Sequence, residues 1–414
     1  MCRELKDSGI PWIGEIPASW GVMPHKRVMH KVKEIQEHYN GENILSLTMR
    51  GVIVRDLDAG GKMPTTFDGY QKVYPNNLLQ CLFDIDVTPR CVGLIKDEGL
   101  TSPAYSQFTM YSNGYAPYYD YLLRYMDDRK TLLHLSKNLR SSLTETDFGA
   151  ILTCVPPIAE QKKIAEYLDK KCGEVDEMIA LQEQIIEELK AYKQSVITEA
   201  VTKGLNPNVP MKDSGIEWIG EIPEHWEVMP HKRVMHKIKE IQEQYNGEKI
   251  LSLTMKGVIV RDLDAGGKMP TTFDGYQKVY PNNLLQCLFD IDVTPRCVGL
   301  IKDEGLTSPA YSQFELFDNG YAPYYDYLLR YMDDIKAMLH LSKNLRSSLT
   351  ETDFGAIPTC VPPFTEQQTI ADYLDEKCGD IDALIALKQQ KIESLKEYKK
   401  SIIYEYVTGK KEVV

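Results

Sequence analysis

A chain of 414 residues has room for two or three ordinary domains, each with a core of its own. With 43% hydrophobic and 26% charged residues the make-up is that of a globular protein, and no apolar stretch approaches the roughly 20 residues that span a bilayer. A net charge of −12 excludes a protein that coats nucleic acid indiscriminately, yet admits a sequence-specific reader, because only the charge of the binding face counts.

The chain opens on "KDSGIPWIGEIPASW" (Lys6–Trp20), preceded by no apolar run of the kind a secretory leader carries. Its densest basic stretch follows, "PHKRVMHKVK" (Pro24–Lys33). There Lys26, Arg27, Lys31 and Lys33 can neutralise phosphates, with His25 and His30 adding hydrogen bonds; a solvated amphipathic face is the plain alternative. Short runs rich in β-branched and aromatic residues come next: "NILSLTM", "GVIVRDL", "KVYP", "LLQCLFDI" and "CVGLI". Turn signals such as "NG", "AGG" and "PNN" separate them, so they predict strands. On or near the predicted loops lie Arg50, Arg55, Lys62, Thr65, Thr66, Lys72 and Arg90. Arginine and lysine there can reach guanine edges, and threonine a thymine methyl, though any one of them alone is ordinary surface. Helical patterns around "YYDYLLRYMDD" and "KTLLHLSKNL" complete an α+β (mixed α/β) domain.

From Pro157 the period changes. Ile164, Leu168, Val175, Ile179, Ile186, Leu189, Tyr192 and Val196 recur at spacings of three, four and seven. Pro157 and Glu160 suit the start of a helix. The predicted helix runs to about Val201 and would be on the order of 60 Å long. A helix of that length cannot bury its apolar stripe on one domain.

The chain then repeats itself. Residues 7–202 align with 213–408 at a constant offset and no gap, with 35 differences in 196 positions. None falls in 51–108, which is identical to 257–314, whereas 20 fall between 152 and 200. The second copy therefore offers its own candidate DNA contacts: Lys232, Arg233, Lys237, Lys256, Arg261, Lys268, Thr271, Thr272, Lys278 and Arg296. It also offers a second stripe, Ile370, Leu374, Ile381, Ile385, Ile392, Leu395, Tyr398 and Ile402. Two such helices can pair as an antiparallel coiled coil; capping by each helix of its own domain is the lesser alternative. The expected organisation is a first globular domain at 1–156, a long helix at 157–204, a second domain at 205–362, and a long helix and tail at 363–414, related by a pseudo-two-fold axis.

Chemistry-bearing motifs are missing. There is no glycine-rich cofactor loop and no phosphate-binding loop. "VPPF" (Val361–Phe364) and "VPPI" (Val155–Ile158) have valine where an amino-methyltransferase needs a polar side chain, so both are helix starts. Nine cysteines include no C-x-x-C pair and no cluster with histidine at zinc spacing, so no metal site is expected. They suit buried or free thiols in a reducing cytoplasm.

The order of these features resembles the DNA-specificity subunit of type I restriction–modification systems. The resemblance rests on "DSGIEWIGEIPEHW", on "GLTSPAYSQF" and "LRSSLTETDFGAI", and on "VPP..EQ..IA.YLD.KCG..D.LI" running to "LK.YK.S.I.E.VT". It covers nearly the whole chain, in both copies. It implies two target-recognition domains held apart by two antiparallel helices, and no catalysis in this chain. It also implies docking of two modification subunits that use S-adenosylmethionine, and of motor–nuclease restriction subunits that use ATP and Mg. Family members usually carry two dissimilar recognition domains. Here the two are nearly identical, so the expected target is an interrupted palindrome in double-stranded DNA. A helical scaffold without sequence preference is the alternative function.

Overall fold

The computed structural model describes residues 3–58, 64–88, 90–136, 141–264, 270–294, 296–341 and 347–413. It forms two compact units, Met1–Glu183 with Gln389–Val414, and Gln184–Lys388. Each mixes strands and helices, and each takes half of both long helices.

The first unit is built on a four-stranded antiparallel sheet in the order Met29–Val32, Ser106–Met110, Leu78–Gln80, Val92–Leu94. Neighbouring residues of a strand point to opposite faces, and here both faces are covered. Leu78 joins the main core under the helix Ala116–Asp128, while Leu79 joins a small second core with Leu45, Val52, Val73 and Ile95. The second core seats the hairpin Leu45–Thr48/Gly51–Val54 on the sheet. Gly93 makes that close approach possible: a Cβ there would stand 2.9 Å from a Val52 methyl and 3.0 Å from Leu47. The buried Gln107 side chain ties the strand Gln71–Val73 alongside, accepting from the Tyr74 N–H and donating to the Lys72 carbonyl. A capping box between Thr144 and Asp147 starts the short helix Glu145–Ala150.

The second unit repeats this plan with Met235–Ile238, Ser312–Leu316, Leu284–Gln286 and Val298–Leu300. Its helix Ala322–Asp334 has the same sequence as its counterpart. The eight described cysteines are free and buried.

The long helices are Ile158–Lys203 and Phe364–Val407. In the first unit Asp176 pairs with Lys399 at 2.6 Å, and Tyr167 donor–acceptor partners with Tyr406 at 3.1 Å, so the two segments run in opposite directions. In the second unit Lys193 pairs with Asp382 at 2.7 Å. Ile164, Leu168, Val175, Ile186, Val196, Ile370, Leu374, Ile381, Ile392, Leu395 and Ile402 are buried, and Ile179, Leu189 and Ile385 are half-buried.

Two parts of the stripe reading need correction. Tyr192 and Tyr398 are exposed, at 57% and 52%. At 3.6 residues per turn Tyr192 points about 90° away from the mean direction of the other stripe residues. In addition, the ends of the stripe serve the globular cores. Ile164 and Leu168 share a core with Trp20, Tyr118 and Phe148, and with Ile402 and Val407 from the end of the other helix. Ile370 and Leu374 do the same with Trp226, Tyr324, Phe354 and Val201.

Each globular fold is thus clamped between the start of one long helix and the end of the other. Gln161, fully buried in the first turns, donates to the carbonyls of Asn113 and Pro156 at 2.8 Å and accepts from the Tyr115 N–H at 2.8 Å. Gln367 repeats all three bonds with Asn319, Pro362 and Tyr321. At the other end, the Tyr118 hydroxyl donates to the Val407 carbonyl at 2.8 Å, and Tyr324 to that of Val201 at 3.1 Å. The tryptophan strings close the clamp. Gly204, at φ +72°, ends its helix so tightly against Trp226 that a Cβ would come within 3.2 Å of the indole. Gly409, at φ +71°, does the same against Pro17 and Trp20. Among the described residues no helix is long and apolar enough to cross a membrane.

Candidate nucleic-acid interface

The basic stretch folds as a strand, Gly21–Pro24, a single 3₁₀ turn, His25–Arg27, and the edge strand Met29–Val32. His25 anchors the turn. It is fully buried, its ring 4.7 Å from that of Phe148, and burial lowers its pKa to about 4. His25 therefore cannot serve the phosphate hydrogen bonds expected of it: it is neutral and out of reach. Anchoring it leaves Lys26 and Arg27 exposed on the turn, with His30 exposed on the strand and stacked on Tyr111 at 4.7 Å. Lys31 is half-buried and ion-pairs with Glu145 at 3.2 Å. A cavity of about 430 Å³ opens here, lined by His25, Lys26, His30, Lys31, Phe108 and Glu145 among others. The second unit has its equivalent, about 500 Å³, at His231, Lys232, His236 and Lys237. Arg233 is exposed on the same turn, and Lys237 pairs with Glu351 at 3.3 Å.

Arg50 stands elsewhere, at the turn of the hairpin. The Thr48 hydroxyl accepts from the Arg50 N–H at 3.1 Å and donates to the Gly51 carbonyl at 3.0 Å, and Gly51 supplies φ +100°. The tip leaves Met49 61% exposed, and Met255 beside Lys256 is 62% exposed. The sheet separates this tip from the basic stretch: the hairpin packs beside Val92–Leu94 and the basic strand is the opposite edge. Three strand spacings, about 14 Å, lie between those edges.

The remaining candidates divide by how they are engaged. Thr65 and Thr66 are exposed, with Thr66 accepting from the Asp68 N–H at 3.1 Å; Thr271 and Thr272 match them, Thr272 accepting from Asp274 at 3.1 Å. Lys72 is held by Glu34 at 2.6 Å, and Lys278 by Glu240 at 2.5 Å. Arg90 is 14% exposed and pairs with Asp128 at 2.9 Å and Asp127 at 3.5 Å; Arg296 pairs with Asp334 at 2.8 Å and Asp333 at 3.2 Å. These two guanidiniums brace the loop before Cys91 and Cys297 against a helix end. Arg55 and Arg261 are half-buried, each within electrostatic reach of a tyrosine, Tyr105 or Tyr311. Lys62 and Lys268 lie outside the described residues.

Sequence reasoning missed Phe83 and Val87, which are exposed at 36% and 73% on the loop that follows Gln80, with Phe83 stacked on Tyr105 at 6.1 Å. Their signal is present in "CLFDIDVTPR": apolar residues continue past the strand into a segment with two aspartates and a proline. Exposed aromatic and aliphatic side chains of this kind are suited to contacts with base faces and thymine methyls.

No protein-family model matches the chain. Over 320 residues it is 27% identical to a provisionally assigned type I restriction enzyme MjaX specificity subunit of Methanocaldococcus jannaschii, covering 72% of this chain and 69% of that protein. Over 289 residues it is 28% identical to the type I restriction enzyme MjaVIII specificity subunit of the same organism, covering 64% of this chain and 63% of the relative. In fold it is similar to a chain from a structure of type I R-M system assembly and conformational transition, with a TM-score of 0.68 and 15% identity over 95% of this chain and 98% of that one. The HsdS subunit from Thermoanaerobacter tengcongensis matches with a TM-score of 0.53 and 16% identity, again over 95% and 98%. Sequence and fold agree on one set of relatives, the DNA-specificity subunits of type I restriction–modification systems.

Proposed function

We propose that this chain is a non-catalytic specificity subunit that brings type I modification and restriction subunits to a bipartite site in double-stranded DNA. One observation carries the reading: a domain-sized unit is present twice, identical through residues 51–108 and 257–314, and that segment holds the hairpin strand with Val54, the Phe83 loop and the flanking sheet in each unit. Two identical readers would take the same bases. Each recognition fold sits at the start of one long helix and the end of the other, and the paired segments run antiparallel. From this repetition and from the resemblance we infer that the half-sites are reverse complements, an interrupted palindrome. The exposed cations of the 3₁₀ turn supply phosphate contacts, and the hairpin tip and Phe83 loop supply base contacts.

Protein partners are supported by apolar residues left in solvent on the long helices: Met178 and Leu181 in the first unit, Leu384 and Leu387 in the second, exposed by 43% to 58%. In this reading they meet modification subunits, which bring S-adenosylmethionine, while restriction subunits bring ATP and Mg. The chain works in the cytoplasm, with the DNA. Single-molecule methylation sequencing of DNA exposed to the assembled complex tests the proposal. The expected motif has two reverse-complementary halves; two unrelated halves would refute the mirrored arrangement. Methylation without any motif would favour a helical scaffold instead.

A further inference from the structure

Outside the identical segment the two recognition folds differ at the hairpin tip, where Arg50 becomes Lys256 with its positive charge kept, and around the basic stretch, where charge changes. Just past the identical segment, "TMYS" (Thr109–Ser112) in the first unit becomes "ELFD" (Glu315–Asp318) in the second. These residues lie against the basic stretch. Thr109 is the cross-strand partner of His30, and Glu315 that of His236. The Glu315 carboxylate stands 3.5 Å from the His236 ring nitrogen, and both Glu315 and Asp318 are exposed. Tyr111, stacked on His30, becomes Phe317, stacked on His236 at 4.9 Å, which removes a hydroxyl donor. Lys31 and Lys237 keep equivalent ion pairs, at 3.2 and 3.3 Å, so those do not distinguish the units. The difference extends beyond one strand. Residues 7–156 hold 15 basic and 17 acidic residues, whereas 213–362 hold 15 and 22, so the second fold carries five more negative charges.

We propose that the two recognition folds read the same half-site but grip it unequally, the first more tightly, because Glu315 and Asp318 oppose phosphates beside Lys232, Arg233 and Lys237. The proposal rests on the DNA-specificity reading. A phosphate contact gains by releasing a condensed counterion, and a carboxylate placed beside it cancels part of that gain without touching a base. These carboxylates then lower affinity in the second fold while leaving its sequence preference unchanged. The half-sites of a palindrome, chemically alike, would be held by a strong hand and a weak one.

The test exchanges the residues between the copies, so each variant carries side chains that the same scaffold already tolerates. Full-length chain assembled with its modification subunits is titrated, by fluorescence anisotropy across a salt series, with duplex carrying the sequence that the complex methylates. E315T/D318S is expected to bind about fivefold more tightly than the unaltered complex, with the salt slope steeper by about one. T109E/S112D is expected to bind about fivefold more weakly, with target preference intact in both. Equal affinities with preference intact overturn the inequality and leave the specificity reading standing. Absence of target preference in the unaltered complex removes both.

Discussion

The two units solve one structural problem with different chain connections. In the second, the helix that ends at Lys203 leads straight through Gly204 to the tryptophan string that covers it. In the first, the string sits at the start of the chain and the helix end it covers arrives nearly 400 residues later, at Val407. Local details differ to match. The Trp20 indole donates to Glu160 at 2.9 Å, and Arg3 pairs with the same carboxylate. Trp226 is just as buried, but Glu366 turns to His225 at 2.8 Å instead. The cores nevertheless match at most positions, from Tyr118/Tyr324 to Phe148/Phe354, with exchanges such as Leu132 for Met338 and Ile402 for Val196. Packing needs the right groups in place, whatever the route by which the chain delivers them.

Removing residues 389–414 breaks the comparison most severely. The first unit then loses Ile402, Ile403 and Val407, each buried in its core. At about 1.5–3 kcal/mol per aliphatic side chain the loss is about 6 kcal/mol, comparable with the whole stability of an ordinary domain. Hydrogen exchange followed by mass spectrometry should show protection lost across 1–183 and kept across 184–388; uniform loss would contradict the division into units. Gln161→Ala sharpens it. Three hydrogen bonds disappear and leave the Tyr115 N–H and two carbonyls without that partner, for about 2–4 kcal/mol. Calorimetry should find the transition of the first unit lowered, and Gln367→Ala should lower the second in the same way.

A smaller effect is tied to pH. His25 and His231 are fully buried and neutral, with pKa values lowered by burial from 6.5 to about 4. Below pH 6.5 the unfolded chain takes up a proton that the folded one refuses. Stability is therefore full above pH 6.5 and falls as pH drops toward 4, by up to about 3 kcal/mol for each histidine. Denaturant titrations between pH 7 and 4.5 should show this slope, and His25→Phe should flatten it in the first unit alone.

Much of this architecture is legible in the sequence because it is periodic. The long helices announce themselves through Ile164, Leu168, Val175 and their repeats, and the duplication needs no structure at all. The sheet is different. Its order places 29–32 beside 106–110, and 78–80 between 106–110 and 92–94, and such pairings depend on which distant strands bury each other's faces. The site suffers from the same long range. Arg90 and Arg50 look alike in the sequence, yet Arg90 is engaged by carboxylates 37 and 38 residues away while Arg50 crowns a turn built by its own neighbours. Gln161 is visible within "PPIAEQ", but two of the three groups it ties together, the Asn113 carbonyl and the Tyr115 N–H, lie 48 and 46 residues away.

The clamp around Tyr118 has a consequence for synthesis. A ribosome finishes residues 1–183 early, but the segment that seals their core emerges only after the whole second unit has been made. At 5–20 residues per second that interval is roughly 10–40 s. For that time the nascent first unit presents the apolar faces of Ile164 and Leu168 without their lid, whereas the second unit has every part it needs as soon as residue 388 appears. The later half of the gene is the first to yield a finished fold.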